Sequence, residues 1–565
     1  MRHLVRRLLG VAAASVLLAG SAGTPANAAD SPYDVLVFSK TAGFRHDTIP
    51  VGIQMIRDLG AANSFTVTAT EDSAQFTADN LARFEAVVFL NTTGDVLNNT
   101  QQTAFENYIR AGGGYVGVHS ASDTEYDWPF YGELVGAYFA SHPAIQQATV
   151  RVQNRAHAAT AGLNPTLVRT DEWYNFRSNP RASARVLSVL DESTYSGGTM
   201  GADHPHTWCK TLQGGRSFYT GSGHTQASYA EPGFRSQVLG GIRYAANRTR
   251  ADCRPETGYT TLYDGATTGW SQAGPGAFTN SNGTLTSSGG MGMLWYRTKE
   301  FRSYSLKLDW MVPGDDNSGV LIGFPAGDDP NAALTNGYEV QIDATDTADR
   351  TTGAVYGFQS ADVGARDAAL NPPGEWNTYE LLVEGERLQV LLNGVKINDF
   401  TNTDPVRSLS SGHVGIQNHG TGDDVSFRNI RIKELGGPAT RVGPITGVAG
   451  RCADVSGANS ADGTKIQLWT CNGGTGQRWT VSGNTLRALD KCMTVANGGT
   501  ANGSAVQLSA CTGSGAQAWT PGTGGSLVNQ QSGRCLDANG GSSADGTALI
   551  VWSCHGGTNQ RWTLP

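Results

Sequence analysis

The chain reads as three successive folds: an α/β domain with a doubly wound sheet, an all-β antiparallel sandwich, and a β domain built on a threefold repeat. Three observations predict this. Between residues 30 and 248, apolar strand-like runs alternate with stretches of helical spacing. Between 257 and 434, helical spacing gives way to short alternating runs without helices. From 440 to 565, one pattern of cysteine and tryptophan returns three times. A length of 565 residues suits about three or four domains at ~150 residues each.

Composition narrows the function. Charged residues make up only 16% of the chain and glycine reaches 73 residues, which favours tight turns and β-rich folds. A net charge of −8 argues against a nucleic-acid partner, because phosphate binding needs a basic footprint. Residues 1–29 read as a secretory signal peptide: Arg2, Arg6 and Arg7, a short apolar core from Leu8 to Leu18, and the small-x-small site Ala26-Asn27-Ala28. No later stretch approaches the ~20 apolar residues of a membrane span. The mature protein is therefore expected to be soluble, secreted and extracellular. Eight cysteines fit an oxidising compartment. Cys452/Cys471, Cys492/Cys511 and Cys535/Cys554 share one separation, and Cys209 and Cys253 pair by elimination. That leaves no free thiol to act as a nucleophile.

In the first domain, Tyr33 to Phe38 is a continuous apolar run, as expected of a strand buried on both faces. Ile49 to Leu59 has helical spacing. Phe65 to Ala69 and Ala86 to Leu90 are strands. Thr100 to Ala111 is a helix with Phe105, Tyr108 and Ile109 on one face. Tyr115 to Val118 is a strand that ends in His119-Ser120. Ligands of open α/β sheets bind beyond the carboxyl ends of strands, which marks His119. The segment GVHSASDT…WPFYGELVGAYFASHP resembles the trehalose-utilisation (ThuA-like) family, whose domain is similar to the class I amidotransferase fold. In amidotransferases the corresponding turn is a strained elbow carrying cysteine. Here His119 holds that place, so a thiol mechanism is excluded and the fold alone does not carry the function across. Asp171-Glu172-Trp173-Tyr174 resembles the family's D-E-x-Y segment, His206-Thr207-Trp208 its P-x-x-W segment, and Gly221-Ser222-Gly223-His224 its glycine–histidine turn. His46, His119, His142, His206 and His224, with Glu172, could together hold a divalent metal such as zinc, although no HExxH or paired CxxC spacing supports one. His142 and His206 adjoin prolines and can equally serve only to hydrogen-bond a loop.

Asp252 to Gly258 reads as a polar link. Beyond it, Ser303–Trp310, Gly319–Phe324, Tyr338–Asp343, Tyr379–Val383 and Arg387–Leu392 are expected strands, and Asn393-Gly394 is a hairpin turn. A concanavalin-like jelly roll accommodates them. In Tyr338-Glu-Val-Gln-Ile-Asp343, the side chains of Glu339, Gln341 and Asp343 share one face while Val340 and Ile342 point into the core. A polar triplet on a sheet face can be a solvated surface, or the way a sandwich glycosidase presents its acid and base. Asn317-Ser-Gly-Val320, the Glu339 strand, Thr352-Gly-Ala-Val-Tyr356, Gly374-Glu-Trp-Asn-Thr-Tyr379, Gly415-Ile-Gln-Asn-His419 and Phe427-Arg-Asn-Ile-Arg-Ile432 resemble the 3-keto-disaccharide hydrolase family, across the whole domain and in order.

That resemblance implies a sugar oxidised to a ketone at C3, supplied by an upstream sugar 3-dehydrogenase. The ketone acidifies the C2 proton, a modest base removes it, the C1 substituent leaves, and water adds. Glu339 or Asp343 is then the candidate base, and His419 the acid for the leaving group. Asn317, Gln341 and Gln417 are the expected hydrogen-bond donors to the enolate. An ordinary laminarinase-type endo-glycosidase is a second reading, disfavoured because E-V-Q-I-D lacks the E-x-D-x-x-E spacing. A third is a non-catalytic glycan-binding protein with both front domains as scaffolds.

In the last domain, Cys452-Ala-Asp454…Gln467-Leu-Trp469-Thr-Cys471…Gln477-Arg-Trp479 recurs from Cys492 to Trp519 and from Cys535 to Trp562. Three such units resemble ricin-B-type β-trefoil lectins, whose partner is an oligo- or polysaccharide. The resemblance implies a sugar pocket made by the aspartate, the aromatic before the second cysteine, and the amides. The first unit keeps Asp454, Gln467, Trp469 and Gln477. The third keeps Asp537, Trp552, Asn559 and Gln560, with Ile550 for the first glutamine. The second has Thr494 for aspartate and Ser509 for the aromatic, so binding is expected from the first and third units only. Trp479, Trp519 and Trp562 are expected in the core.

Overall fold

A computed structural model describes residues 30–343, 345–435 and 441–565; the expected signal peptide lies outside the described residues. The first domain is built on a nine-stranded sheet. Tyr33–Phe38 pairs in parallel with Phe65–Thr70 and Ala86–Leu90, which leads on to Gly114–Val118 and Gly215–Thr220, also parallel. Past that point His204–Leu212, Arg185–Asp191, Gln146–Val152 and Thr166–Asp171 add on antiparallel. The doubly wound pattern expected from the sequence therefore describes the parallel half. Its first strand shows why the run is continuously apolar: alternate residues face opposite layers. Val35 and Val37 pack with Met55 and Ile56 of the helix Ile49–Ala62 and with Val238 and Ile242 of the helix Pro232–Ala245. Leu36 and Phe38 pack with Phe105 and Ile109 of the helix Asn99–Arg110. That last helix starts in a capping box between Asn98 and Gln101.

The second domain is a sandwich of an eight-stranded and a five-stranded sheet. Between them lies a core that includes Trp310, Tyr379, Val340 and Ile342. It is not helix-free as the sequence suggested: Pro330–Asn336 and Val363–Ala369 form two short helices, each capped by an aspartate side chain. Ala333 of the first packs on the outer face of the five-stranded sheet beside Trp295 and Leu321.

The segment expected to be a polar link contributes Asp252 and Glu256 to a buried ion network. Glu256 bridges Arg185 of the first domain (2.5 Å) to Arg431 and Lys307 of the second. Burial alone would raise the Glu256 carboxyl, but the charges of Arg431 and Arg185 hold it well below the usual range. Cys253 is joined to Cys209 of the first domain, so the connection is anchored at both ends.

The third domain carries the threefold repeat into its core. The indoles of Trp479, Trp519 and Trp562 donate to the carbonyls of Ala453, Met493 and Leu536 at 2.7, 2.9 and 2.9 Å. Each unit is closed by its own disulfide, Cys452–Cys471, Cys492–Cys511 and Cys535–Cys554. A unit of forty residues is too small to stabilise a core alone, and a short closed loop offsets part of that deficit.

Candidate functional site

The structure places predicted residues at three positions. The first is at the carboxyl ends of strands in the α/β domain. His119 follows Gly114–Val118 directly, and its φ of 51° is left-handed, a conformation uncommon for residues other than glycine. His46 lies in the loop after Tyr33–Phe38, Glu172 directly follows Thr166–Asp171, and His224 lies beyond Gly215–Thr220. One ligand-type atom from each of His46, His119, Glu172 and His224 falls within 4.8 Å of the others. His119 Nε2 stands 3.2 Å from His224 Nδ1 and 3.4 Å from Glu172 Oε2, and His224 Nδ1 stands 3.1 Å from that same oxygen.

The carboxyl of Asp171 locks this arrangement. It accepts from the backbone N–H groups of Gly223, His224 and Thr225 and from the Ser228 hydroxyl, pinning the glycine–histidine turn to the end of the edge strand Thr166–Asp171. Burial of Glu172 would raise its carboxyl, but hydrogen bonds from His119 and His224 hold it well below the usual range. Burial pushes His46 down to about 3, so its imidazole is neutral. His142 reaches the other Glu172 oxygen at 2.9 Å from an exposed position. His206 is not part of the cluster: its buried ring lies between Ser188 and Ser222.

The second position is the outer face of the five-stranded sheet in the sandwich. Glu339, Gln341 and Asp343 share that face as expected, but it is not solvated: they are 6%, 1% and 8% exposed. Burial pushes the Glu339 carboxyl up to about 8, against a weaker opposing hydrogen bond with Gln417. Gly319 makes room for it, since a Cβ there would come 2.6 Å from Glu339 Cγ.

Asp343 is engaged differently. Its Oδ2 accepts from Asn317 Nδ2 at 2.9 Å and its Oδ1 from the backbone of Thr345 and Asp346. Asn317 also donates its backbone N–H to Asp423, whose other oxygen is 3.0 Å from His419 Nδ1. Asp423 is a residue the sequence reading missed; its i+4 spacing from His419 was the available signal. The amides depart from expectation too. Asn317 Nδ2 is committed to Asp343, and Gln341 Nε2 is directed at Asn317 Oδ1 at 3.4 Å. Three buried oxygens are left without partners, Glu339 Oε1, Gln341 Oε1 and Gln417 Oε1, together with one donor on the same face, Trp295 Nε1. Such oxygens suit sugar hydroxyl donors better than an enolate oxygen.

The third position is the trefoil surface. Asp454 accepts from Gln467 and Gln477, beside a Trp469 indole that is 39% exposed. Asp537 accepts from Asn559 and Gln560 at 2.8 Å each, beside Trp552, 41% exposed. His555, also missed by the sequence reading, brings Nε2 to 3.5 Å from Asp537. In the second unit Gln517 donates to the Thr494 hydroxyl instead, with neither carboxylate nor aromatic platform.

Comparison with known proteins agrees with this architecture. Residues 34–245 match the family model for trehalose utilisation (ThuA), 258–433 that for a 3-keto-alpha-glucoside-1,2-lyase-like domain, and 441–562 that for a ricin-type beta-trefoil lectin domain. Among solved structures, a putative ThuA-like protein from Bacteroides uniformis is 23% identical over 40% of this chain and 95% of its own, with a TM-score of 0.35. A putative glycosyl hydrolase from Parabacteroides distasonis is 24% identical over 32% of this chain and 94% of its own, with a TM-score of 0.28. The agglutinin from Abrus precatorius is 31% identical over 22% of this chain and 48% of its own, with a TM-score of 0.21. The chain thus joins a ThuA-like domain, a domain of 3-keto-glucoside lyase type and a ricin-type trefoil. It is a carbohydrate-active protein with a glycan-binding module. Its four disulfides fit an extracellular setting, and among the described residues no helix is long and apolar enough to cross a membrane.

Proposed function

We propose that the protein is a secreted enzyme that cleaves the glycosidic bond of 3-keto-glycosides by elimination followed by hydration, held to its glycan by the trefoil. The observation that carries this reading is Glu339, a buried carboxyl pushed up to about 8 among unpartnered acceptors on a sheet face. A carboxylate of that basicity matches the removal of a proton already acidified by a neighbouring ketone, where an ordinary carboxylate is a weaker base.

In the proposed sequence, Glu339 takes the C2 proton and the electron pair moves into the C3 enolate. The C1–O bond then breaks as His419, oriented by Asp423, protonates the departing oxygen. Water adds across C1 and C2, with oxygen to C1 and a proton back to C2, giving the free 3-keto sugar. Gln341 and Gln417 accept from sugar hydroxyls. Asp343, saturated by hydrogen bonds, fixes Asn317 rather than acting as the base. The ketone comes from a sugar 3-dehydrogenase acting upstream. Asp454 with Trp469 and Asp537 with Trp552 bind the glycan, and two weak sites on one polymer gain by avidity.

The test follows release of a chromogenic aglycone from a 3-keto-glucoside and from its unoxidised parent. Turnover of the keto substrate alone, abolished by Glu339→Gln, is the expected result. Turnover of the parent sugar would indicate an ordinary glycosidase, and full activity of Glu339→Gln would remove Glu339 from the mechanism.

A further inference from the structure

We infer that His46, His119, His224 and Glu172 bind a late first-row divalent metal, with Zn²⁺ as the type ion, in a second centre separate from the sandwich site. The spacing of the donors is the first argument. Zinc–nitrogen and zinc–oxygen bonds of ~2.0–2.2 Å in a tetrahedron set neighbouring ligand atoms about 3.3 Å apart. The three recorded separations among His119 Nε2, His224 Nδ1 and Glu172 Oε2 are 3.2, 3.4 and 3.1 Å. His46 supplies the fourth donor within 4.8 Å.

The second argument is the direction of the lone pairs. His119 Nδ1 lies 3.0 Å from the Gly221 carbonyl, which can only accept, so Nδ1 carries the proton. Its Nε2 faces the Glu172 carboxylate and His224 Nδ1, so three donor atoms converge on a point that calls for a cation, either a proton on an imidazole or a metal ion. A proton serves one pair of atoms at a time, whereas a metal ion serves all four.

The third argument is what stands behind the donors. Metal-binding imidazoles are held by hydrogen bonds from the ring nitrogen that does not bind the metal. His119 has the Gly221 carbonyl in this role, His46 Nδ1 has the Ser120 hydroxyl at 3.4 Å, and the second Glu172 oxygen has His142. The left-handed backbone at His119 and the Asp171 clamp on the His224 turn fix the donors from two further directions.

The set also selects the ion. Three imidazoles and one carboxylate suit zinc, nickel, cobalt(II) or iron(II) and are poor for magnesium or calcium, which take oxygen ligands. His46, His119 and Glu172 are buried and His224 is part exposed, so the cluster opens on one side. Phe44, 66% exposed, meets the His46 ring edge-on. An aromatic rim beside an accessible metal suits a hydroxylated ring that stacks one face and offers oxygens to the ion.

The test titrates chelator-stripped full-length protein with ZnCl2 by calorimetry, with elemental analysis for stoichiometry, and with CoCl2 for the visible absorption of tetrahedral cobalt. One ion per chain and a tetrahedral cobalt spectrum are expected. His224→Ala, at the part-exposed position, should weaken binding at least a hundredfold and abolish the spectrum, with circular dichroism unchanged. Glu172→Gln should do the same, and His142→Ala should weaken binding about tenfold through loss of its hold on Glu172. His555→Ala, in the trefoil, should leave stoichiometry and spectrum as they are. No high-affinity site, or one that persists in both His224→Ala and Glu172→Gln, would overturn the inference.

Discussion

Replacing Glu339 by glutamine should change how stability depends on pH, and by an amount the structure sets. Glu339 is 6% exposed and its carboxyl moves from an ordinary 4.5 to about 8. At ~1.4 kcal/mol per tenfold change, ionising it in the folded protein rather than the unfolded one costs at most about 5 kcal/mol. The sign follows from a folded value above the unfolded one. The neutral form's contribution is fully present below about pH 4.5 and is lost as pH rises through about 8. Glutamine has the shape of the neutral acid and never ionises. Glu339→Gln should therefore match the wild type near pH 5 and exceed it by a few kcal/mol at pH 9. Calorimetric unfolding of both full-length proteins from pH 5 to 9.5 reads this as a difference, in which every other titrating group cancels. Curves that stay parallel within about 0.5 kcal/mol would show that Glu339 is not held neutral by burial, and the argument for its basicity would fall with them.

If Glu339 is the base, the rising limb of kcat/KM on a 3-keto-glucoside should have its midpoint at about pH 8, as measured by initial rates. Gly319→Ala should cut that activity at least tenfold while changing the fold little, because the added Cβ forces Glu339 out of its rotamer; unchanged rates would place the chemistry elsewhere. Asp454→Ala combined with Asp537→Ala should abolish glycan retention by the trefoil in titration calorimetry, whereas Thr494→Ala should leave it intact. Glu256→Gln should destabilise the paired front domains by about 3 kcal/mol in denaturant unfolding, since it leaves Arg185, Arg431 and Lys307 facing one another without their shared counter-charge.

Periodicity and repetition determined much of this protein directly from the sequence. The run Tyr33–Phe38 could only be a strand buried on both sides, and the structure gives it those bounds. The threefold pattern of cysteine and tryptophan fixed the trefoil because each position serves one local role: a disulfide, or an indole bonded to a carbonyl of its own unit. Alternation placed Glu339, Gln341 and Asp343 on one face, since the pleat allows nothing else. It could not say whether that face met water. Only the folded structure shows these side chains to be 6%, 1% and 8% exposed. The difference between Glu339 and Asp343 came only from tertiary contacts: one carboxyl is buried with an unpartnered oxygen, the other is satisfied by Asn317 and a loop backbone.

The same holds in the first domain. Five histidines were candidates, and only the convergence of four chain segments sorted them, gathering His46, His119 and His224 around Glu172 and sending His206 into a serine-lined enclosure. Residues 252–258 read as a polar linker because charge and proline are all that composition reports. Their role as a buried electrostatic joint arises from Arg185, Lys307 and Arg431, which approach from distant strands. Local pattern sets which face of an element a side chain takes; only the packing of distant segments sets what that side chain meets, and hence its charge and its chemistry.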